Sequence, residues 1–226
     1  MNSIPVITID GFSGSGKSKL CQSLSQYLNW FSLESGVLYR ILACLFLEQK
    51  NPMSKEYIIP LLKKLDQYFI YKNGYICKIM NKNFSNTYMI SNSVTIIASK
   101  LATYKYIRKY LVNKQRLFRQ PPGLVANGRD MGTVVFSDAI IKFFLEATLT
   151  NRVHRRLQEF KKKKYNYEFK NLFQDMKARD EQDQNRKHSP LKPAKDAIIL
   201  NSNNMNCIEV VHMAIQYIKQ HDYFKY

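Results

Sequence analysis

At 226 residues, 45% hydrophobic and 13% aromatic, the chain can bury one sizeable core and is too apolar for a disordered segment. No apolar run reaches the ~20 residues that a bilayer-spanning helix needs. No basic stretch with a cleavage site precedes the first apolar run, so a cytoplasmic protein without membrane attachment is expected. The formal charge of +18 would attract any polyanion, but the lysines are scattered along the chain among Asn, Ile and Tyr. That distribution favours diffuse charge over a surface for specific nucleic-acid binding. Cys21, Cys44, Cys77 and Cys207 lie far apart without a CxxC pair, which predicts reduced thiols rather than a zinc site or a disulfide framework.

In chain order, Ile4 to Asp10 is short, β-branched and bounded by glycine, as a parallel strand buried on both faces would be. A helix begins near Lys17, with Leu20, Leu24, Tyr27 and Leu28 at helical spacing. The short apolar stretch Trp30 to Leu33 precedes a helical run from Ser35-Gly36 to about Gln49, and a further helix is predicted from Lys55 to Lys64. Two strand-like runs between Gln67 and Met80 flank Lys72-Asn73-Gly74, a hairpin pattern because Asn-Gly readily adopts positive φ. Helices follow from Ser91 to Ala102 and from Ile107 to Phe118, the second stopped by Pro121-Pro122-Gly123. Strands are expected at Leu124 to Asn127, Ile140 to Leu145 and Ala197 to Leu200. Basic helices from Asn151 to Lys164 and Phe169 to Arg186 lie between the last two strands, and a final helix runs from Asn206 to Gln220. Alternating strands and helices imply an α/β fold, a parallel sheet covered on both faces with ligands at the carboxyl ends of its strands.

The polar motifs fall at those ends. Gly11-Phe12-Ser13-Gly14-Ser15-Gly16-Lys17-Ser18 matches G-x-x-x-x-G-K-[ST] between a strand and a helix. Glycines let successive backbone N–H groups converge on phosphate oxygens, and the helix N-terminus adds a favourable dipole. Lys17 would neutralise β and γ oxygens, and Ser18 could offer its hydroxyl to Mg²⁺. ATP as phosphoryl donor and Mg²⁺ as cofactor are the expected ligands of this loop.

VITIDG with SGSGKS, SG followed by YR, NGRDMGTVVF and ARDEQDQNR occur here in an order and spacing that resemble the bacterial cytidylate kinases. The four motifs span residues 4 to 186. The resemblance implies a P-loop kinase core at about 1–34, 121–150 and 187–226. It also implies a monophosphate-binding region with an inserted lobe at 35–120 and a helical lid with its flanks at 151–186. The implied reaction moves the γ-phosphoryl of ATP to CMP or dCMP in a monomeric enzyme with no specific nucleic-acid partner.

By the family pattern Arg40, Arg129 and Arg186 hold the acceptor phosphate beside Ser35 and Tyr39. Arginine suits this role because its planar fork binds phosphate bidentately. Cytosine offers an amino donor and two acceptors, and Asp130 and Ser99 resemble the family's acceptors while Arg108 resembles its donor. Arg179 and Asp183 match sugar-contacting positions. Lys17, Arg129, Asp130 and Arg186 form the expected catalytic set, with Gly11 to Lys19 as the donor loop. Arg152 and Arg156, four apart on one helix and so on one face, match a pair that stacks on adenine and reaches the ATP phosphates.

Three positions depart from the family pattern. Lys19 and Asn127 stand where threonine and an acidic residue are usual, and Ile90 where arginine is common; Lys17, Ser18, Arg129 and Asp130 are intact. A UMP or AMP kinase is the nearest alternative, disfavoured because a carboxylate at Asp130 would repel the O4 acceptor of uracil. A basic nucleic-acid-binding protein that uses ATP is the alternative from another class.

Overall fold

A computed structural model describes residues 4–80, 84–162 and 167–224. Strand β1 (Val6–Gly11) is buried at every position because it lies in the middle of a five-stranded sheet. β2 (Phe31–Glu34), β5 (Leu124–Asn127), β6 (Ile141–Glu146) and β7 (Ile198–Asn201) complete that sheet in the order β2-β5-β1-β6-β7. Every pairing in it is parallel. Both edge strands bury only part of their length, which explains why Trp30 to Leu33 reads from sequence as a short apolar stretch rather than a strand.

The pleat sends alternate residues of β1 and β5 to opposite faces. Val6, Leu124 and Ala126 join one apolar cluster with Leu38, Ile41, Leu45 and Leu111. Ile7, Ile9 and Val125 join another with Leu20, Leu24, Phe143, Val210 and Ala214. The first face is covered by α2 (Ser35–Gln49), α3 (Lys55–Leu65) and helices of the inserted lobe. The second is covered by α1 (Lys17–Leu28) and α9 (Cys207–Gln220). α9 opens on a reciprocal cap, Asn206 with Glu209, which satisfies N–H groups that the first turn otherwise leaves open.

The inserted lobe contains the expected hairpin, β3 (Phe69–Lys72) antiparallel to β4 (Tyr75–Ile79), with Asn73 and Gly74 at positive φ. It also holds the short α4 (Asn86–Met89), α5 (Asn92–Leu101) and α6 (Lys105–Arg116). After β6, α7 (Leu149–Lys162) and α8 (Phe169–Asn185) pack through Val153, Leu172 and Met176. Lys163 and Lys164 of the basic run lie outside the described residues. Two side-chain bonds tie α8 to α5: Asn92 Nδ2 donates to Asp175 Oδ2 at 3.2 Å, and Gln182 Nε2 donates to the Ser99 carbonyl at 3.1 Å. Tyr167 also donates to Asp175 Oδ2, at 2.6 Å.

Candidate active site

The loop between β1 and α1 turns on Gly14 and Gly16, at φ 76° and 103°, values that a side chain would strain. Ser15 closes it, its hydroxyl donating to the Phe12 carbonyl at 3.0 Å. No side chain caps α1 and no acidic residue occupies its first turn. Its leading N–H groups and dipole therefore face the cleft at the carboxyl end of the sheet without a partner from their own helix, the arrangement that receives anions. Lys17 donates to the Phe12 carbonyl and, at 3.4 Å, to Ser15 Oγ. Burial, Arg129 and Arg179 hold its ammonium well below its usual pKa, so an anion arriving there would stabilise the charged form.

The cleft encloses about 880 Å³, and ten of its lining side chains are lysine or arginine against four carboxylates. That surplus fits a ligand bearing several negative charges. Ser35 and Arg40 line it from α2, with Arg129 from the end of β5, Arg179 from α8 and Arg186 just beyond α8. Burial and neighbouring cations push the Arg179 guanidinium down to about 9, Arg129 contributing most among the charges. Burial and Arg156 likewise lower Arg40. Asp183 is buried, but Arg129, Arg179 and Arg186 outweigh that and hold its carboxyl below the usual range.

At the acceptor end Asp130 forms a buried ion pair with Arg108 through Oδ2, while its Oδ1 lies 4.0 Å from Arg186. Arg108 also donates to the Ala102 carbonyl at 3.3 Å. Ser99 Oγ and Arg179 Nε are buried without a hydrogen-bond partner, and both residues line the cleft. Such groups are costly unless a ligand or water completes them. Tyr39 stands beside Arg108 and Asp130, and burial pushes its phenol up to about 12.

Of the residues expected from sequence, Ser13, Gly14, Gly16, Lys17, Ser18, Lys19, Ser35, Tyr39, Arg40, Ser99, Arg108, Arg129, Asp130, Arg156, Arg179, Asp183 and Arg186 line this one cleft. Gly11, Phe12 and Ser15 shape the loop from behind. Arg152 does not share the outlook of Arg156. It is buried, bonds Asp180 at 2.6 Å, the Ala147 carbonyl at 2.9 Å and the Ser13 carbonyl at 3.1 Å, and covers the Phe12 ring at 5.0 Å. Arg152 thus braces the loop against α8. Arg155, which sequence reasoning missed, lines the cleft instead and reaches the Ser15 carbonyl at 3.4 Å and Ser202 Oγ at 3.0 Å. Its only sequence cue was its place beside Arg156.

The family model described as cytidylate kinase matches residues 7–220. The chain belongs to that family. A cytidylate kinase from Yersinia enterocolitica serotype O:8 / biotype 1B (strain NCTC 13174 / 8081) is 41% identical over 219 residues, 96% of this chain and 95% of the relative. One from Serratia proteamaculans (strain 568) is 42% identical over 214 residues, 94% and 93% of the two chains. A solved structure of an uncharacterized protein from Eubacterium ventriosum ATCC 27560 covers 96% of this chain and 99% of its own. Its TM-score is 0.49 at 15% identity, too loose a likeness to bear on function.

Within this cytidylate kinase framework the three departures have distinct settings. Lys19 is exposed at the cleft. Asn127 is buried with its Nδ2 unpartnered. Ile90 lines a separate cavity of about 240 Å³ between α5 and α8.

Proposed function

We infer that this chain transfers the γ-phosphoryl group of ATP to CMP and dCMP, giving CDP and dCDP. The observation that carries the reading is one continuous cleft with two unlike ends. One end is the uncapped start of α1. The other is a buried carboxylate and guanidinium, Asp130 and Arg108, beside the unpartnered Ser99 hydroxyl.

In this reading the loop N–H groups and Lys17 hold the donor's β and γ phosphates, and Arg155, Arg156 and Lys19 lie along the same donor side. Arg40, Arg129 and Arg186 hold the acceptor phosphate, with Ser35 beside them. Asp130 Oδ1, left free by the Arg108 pair, accepts the cytosine amino group. Arg108 and Ser99 meet the ring acceptors, while Arg179 and Asp183 face the sugar. The protein supplies positioning and charge neutralisation, which is what phosphoryl transfer asks of it. The Ser18 hydroxyl and the Glu34 carboxylate line the cleft, hard oxygen donors of the kind that suits Mg²⁺. When bound there, that ion would neutralise charge on the donor phosphates.

The domain plan of a core at 1–34, 121–150 and 187–226, an acceptor region at 35–120 and a lid region at 151–186 belongs to the same proposal. So does a monomer, since one chain supplies every lining residue. Cytoplasmic residence is supported by the free thiols Cys21, Cys44, Cys77 and Cys207. Among the described residues no helix is long and apolar enough to cross a membrane.

ADP production from ATP, measured with CMP, dCMP, UMP and AMP separately, tests the assignment. Turnover confined to the cytidine nucleotides is expected, and equal use of UMP or AMP would overturn it.

A further inference from the structure

Asp10 ends β1 immediately before the phosphate loop, yet its carboxylate turns away from the cleft. It is buried, and its two oxygens accept two consecutive backbone N–H groups, Met131 on Oδ1 at 2.9 Å and Gly132 on Oδ2 at 2.8 Å. Those N–H groups open the π-helical turn Met131–Val135, the segment that directly follows Arg129 and Asp130. The other end of the turn secures itself, Val134 and Val135 donating to the Asp130 carbonyl at 3.0 and 3.2 Å. Its leading N–H groups have no such internal acceptor and depend on Asp10. The turn is also pressed against the sheet: a Cβ on Gly132 would stand 2.8 Å from Thr8 Oγ1 and 3.2 Å from Lys142 Cδ.

We propose that Asp10 is a positioning residue for the nucleoside monophosphate. By gripping both N–H groups it fixes the backbone that carries Arg129 to the acceptor phosphate and Asp130 to the base. The proposal rests on the acceptor site described above and adds a residue that touches neither substrate.

The groups around Asp10 make the grip sensitive to pH. Burial pushes its carboxyl up to about 6; the Gly132 and Met131 N–H groups and Lys17 from α1 oppose the rise, and Asp130 adds to it. Lys142 of β6 spends its ammonium on the Ser137 carbonyl and Asp196. Above pH 6 the carboxylate is ionised and both oxygens accept. Below it one oxygen becomes a hydroxyl set against an N–H donor, and the turn loses a bond. Hold on the acceptor therefore weakens on the acid side.

Asp10→Asn keeps the shape but places an NH₂ against one of the two donors. The KM for CMP should rise about tenfold or more, the loss of one buried bond, while the KM for ATP changes less than about twofold. The wild type should show an acid limb near pH 6 in kcat/KM for CMP that is absent or displaced in the variant. A limb unchanged in the variant would belong to the CMP phosphate itself and would overturn the proposal, as would equal rises in both KM values.

Should Asp10→Asn fail to fold, a carboxyl and amide NMR titration of the wild type without substrate decides. The Asp10 carboxyl and the Met131 and Gly132 amides should titrate together near pH 6, and amides indifferent to Asp10 would refute the grip. That titration does not depend on the substrate assignment, whereas a wild type inactive on CMP would overturn the assignment alone.

Discussion

Arg129 Nε stands 2.8 Å from Asp183 Oδ2, joining the end of β5 to α8 across 54 positions of the chain. Asp183 has a depressed carboxyl pKa despite its burial, because Arg129, Arg179 and Arg186 surround it. A depressed carboxyl adds stability above its unfolded pKa of about 4 and loses it as pH falls through the folded value. Asp183→Asn should therefore lower Tm at pH 6 to 7, and the gap to wild type should close as pH falls below about 4. A pH series of thermal melts checks this, and a constant gap would contradict it.

Lys17→Ala should cut turnover with ATP and CMP by 10² or more, since a cation aimed at transition-state charge is worth on the order of 3 kcal/mol. Steady-state kinetics beside a CMP-binding titration would separate the two ends of the cleft, because affinity for CMP should hold within a few-fold. Near-normal turnover would remove Lys17 from the mechanism.

Base choice should follow Asp130. A site built to pair a polar edge leaves its own buried groups unmet when the edge is wrong, so CMP should exceed UMP by roughly 10² in kcat/KM, equal to about 3 kcal/mol. Asp130→Asn can donate as well as accept, and should lower activity on CMP while narrowing the gap. Arg129→Ala should instead impair every monophosphate to a similar extent, as phosphate carries no base identity. Competition assays with paired monophosphates read both outcomes.

Arg152 and Arg156 should respond oppositely to alanine. Arg152 and Asp180 are both buried at their contact, 4% and 10% exposed, and burial already raises the Asp180 carboxyl. Removing Arg152 strands that charge and should cost about 3 kcal/mol of stability. Protonation of Asp180 would then relieve the deficit as pH falls. Arg156→Ala should leave Tm nearly unchanged, because its pair with Glu159 is partly exposed, and should raise the KM for ATP. Thermal melts and donor titrations of the two variants distinguish these outcomes.

The elements with a full period of pattern were legible before the fold was known. β5 runs over Leu124–Asn127 and α2 over Ser35–Gln49, both as their apolar spacing predicts. β2 was not, since four residues at a sheet edge show no clear period. The turn at Met131–Val135 hides in a β-branched stretch that local preference cannot interpret. Spacing put Arg152 and Arg156 on one face, but the partner that buries Arg152 is Asp180, 28 residues later, and α8's docking decides that. Asp10 looked like a strand terminus because its partners lie 121 and 122 positions away.

The bonds from Asn92 to Asp175 and from Gln182 to the Ser99 carbonyl fasten α5, which carries Ser99, to α8, which carries Arg179 and Asp183. Neither helix can shift far without disturbing the other. A ligand that seats one therefore prepays part of the ordering cost of the next ligand, with no contact between the two. Thermodynamic reciprocity then requires that ATP tighten CMP by the same factor as CMP tightens ATP. Such mutual tightening would hold the enzyme loose with one nucleotide and closed with both, which limits transfer of the phosphoryl group to water.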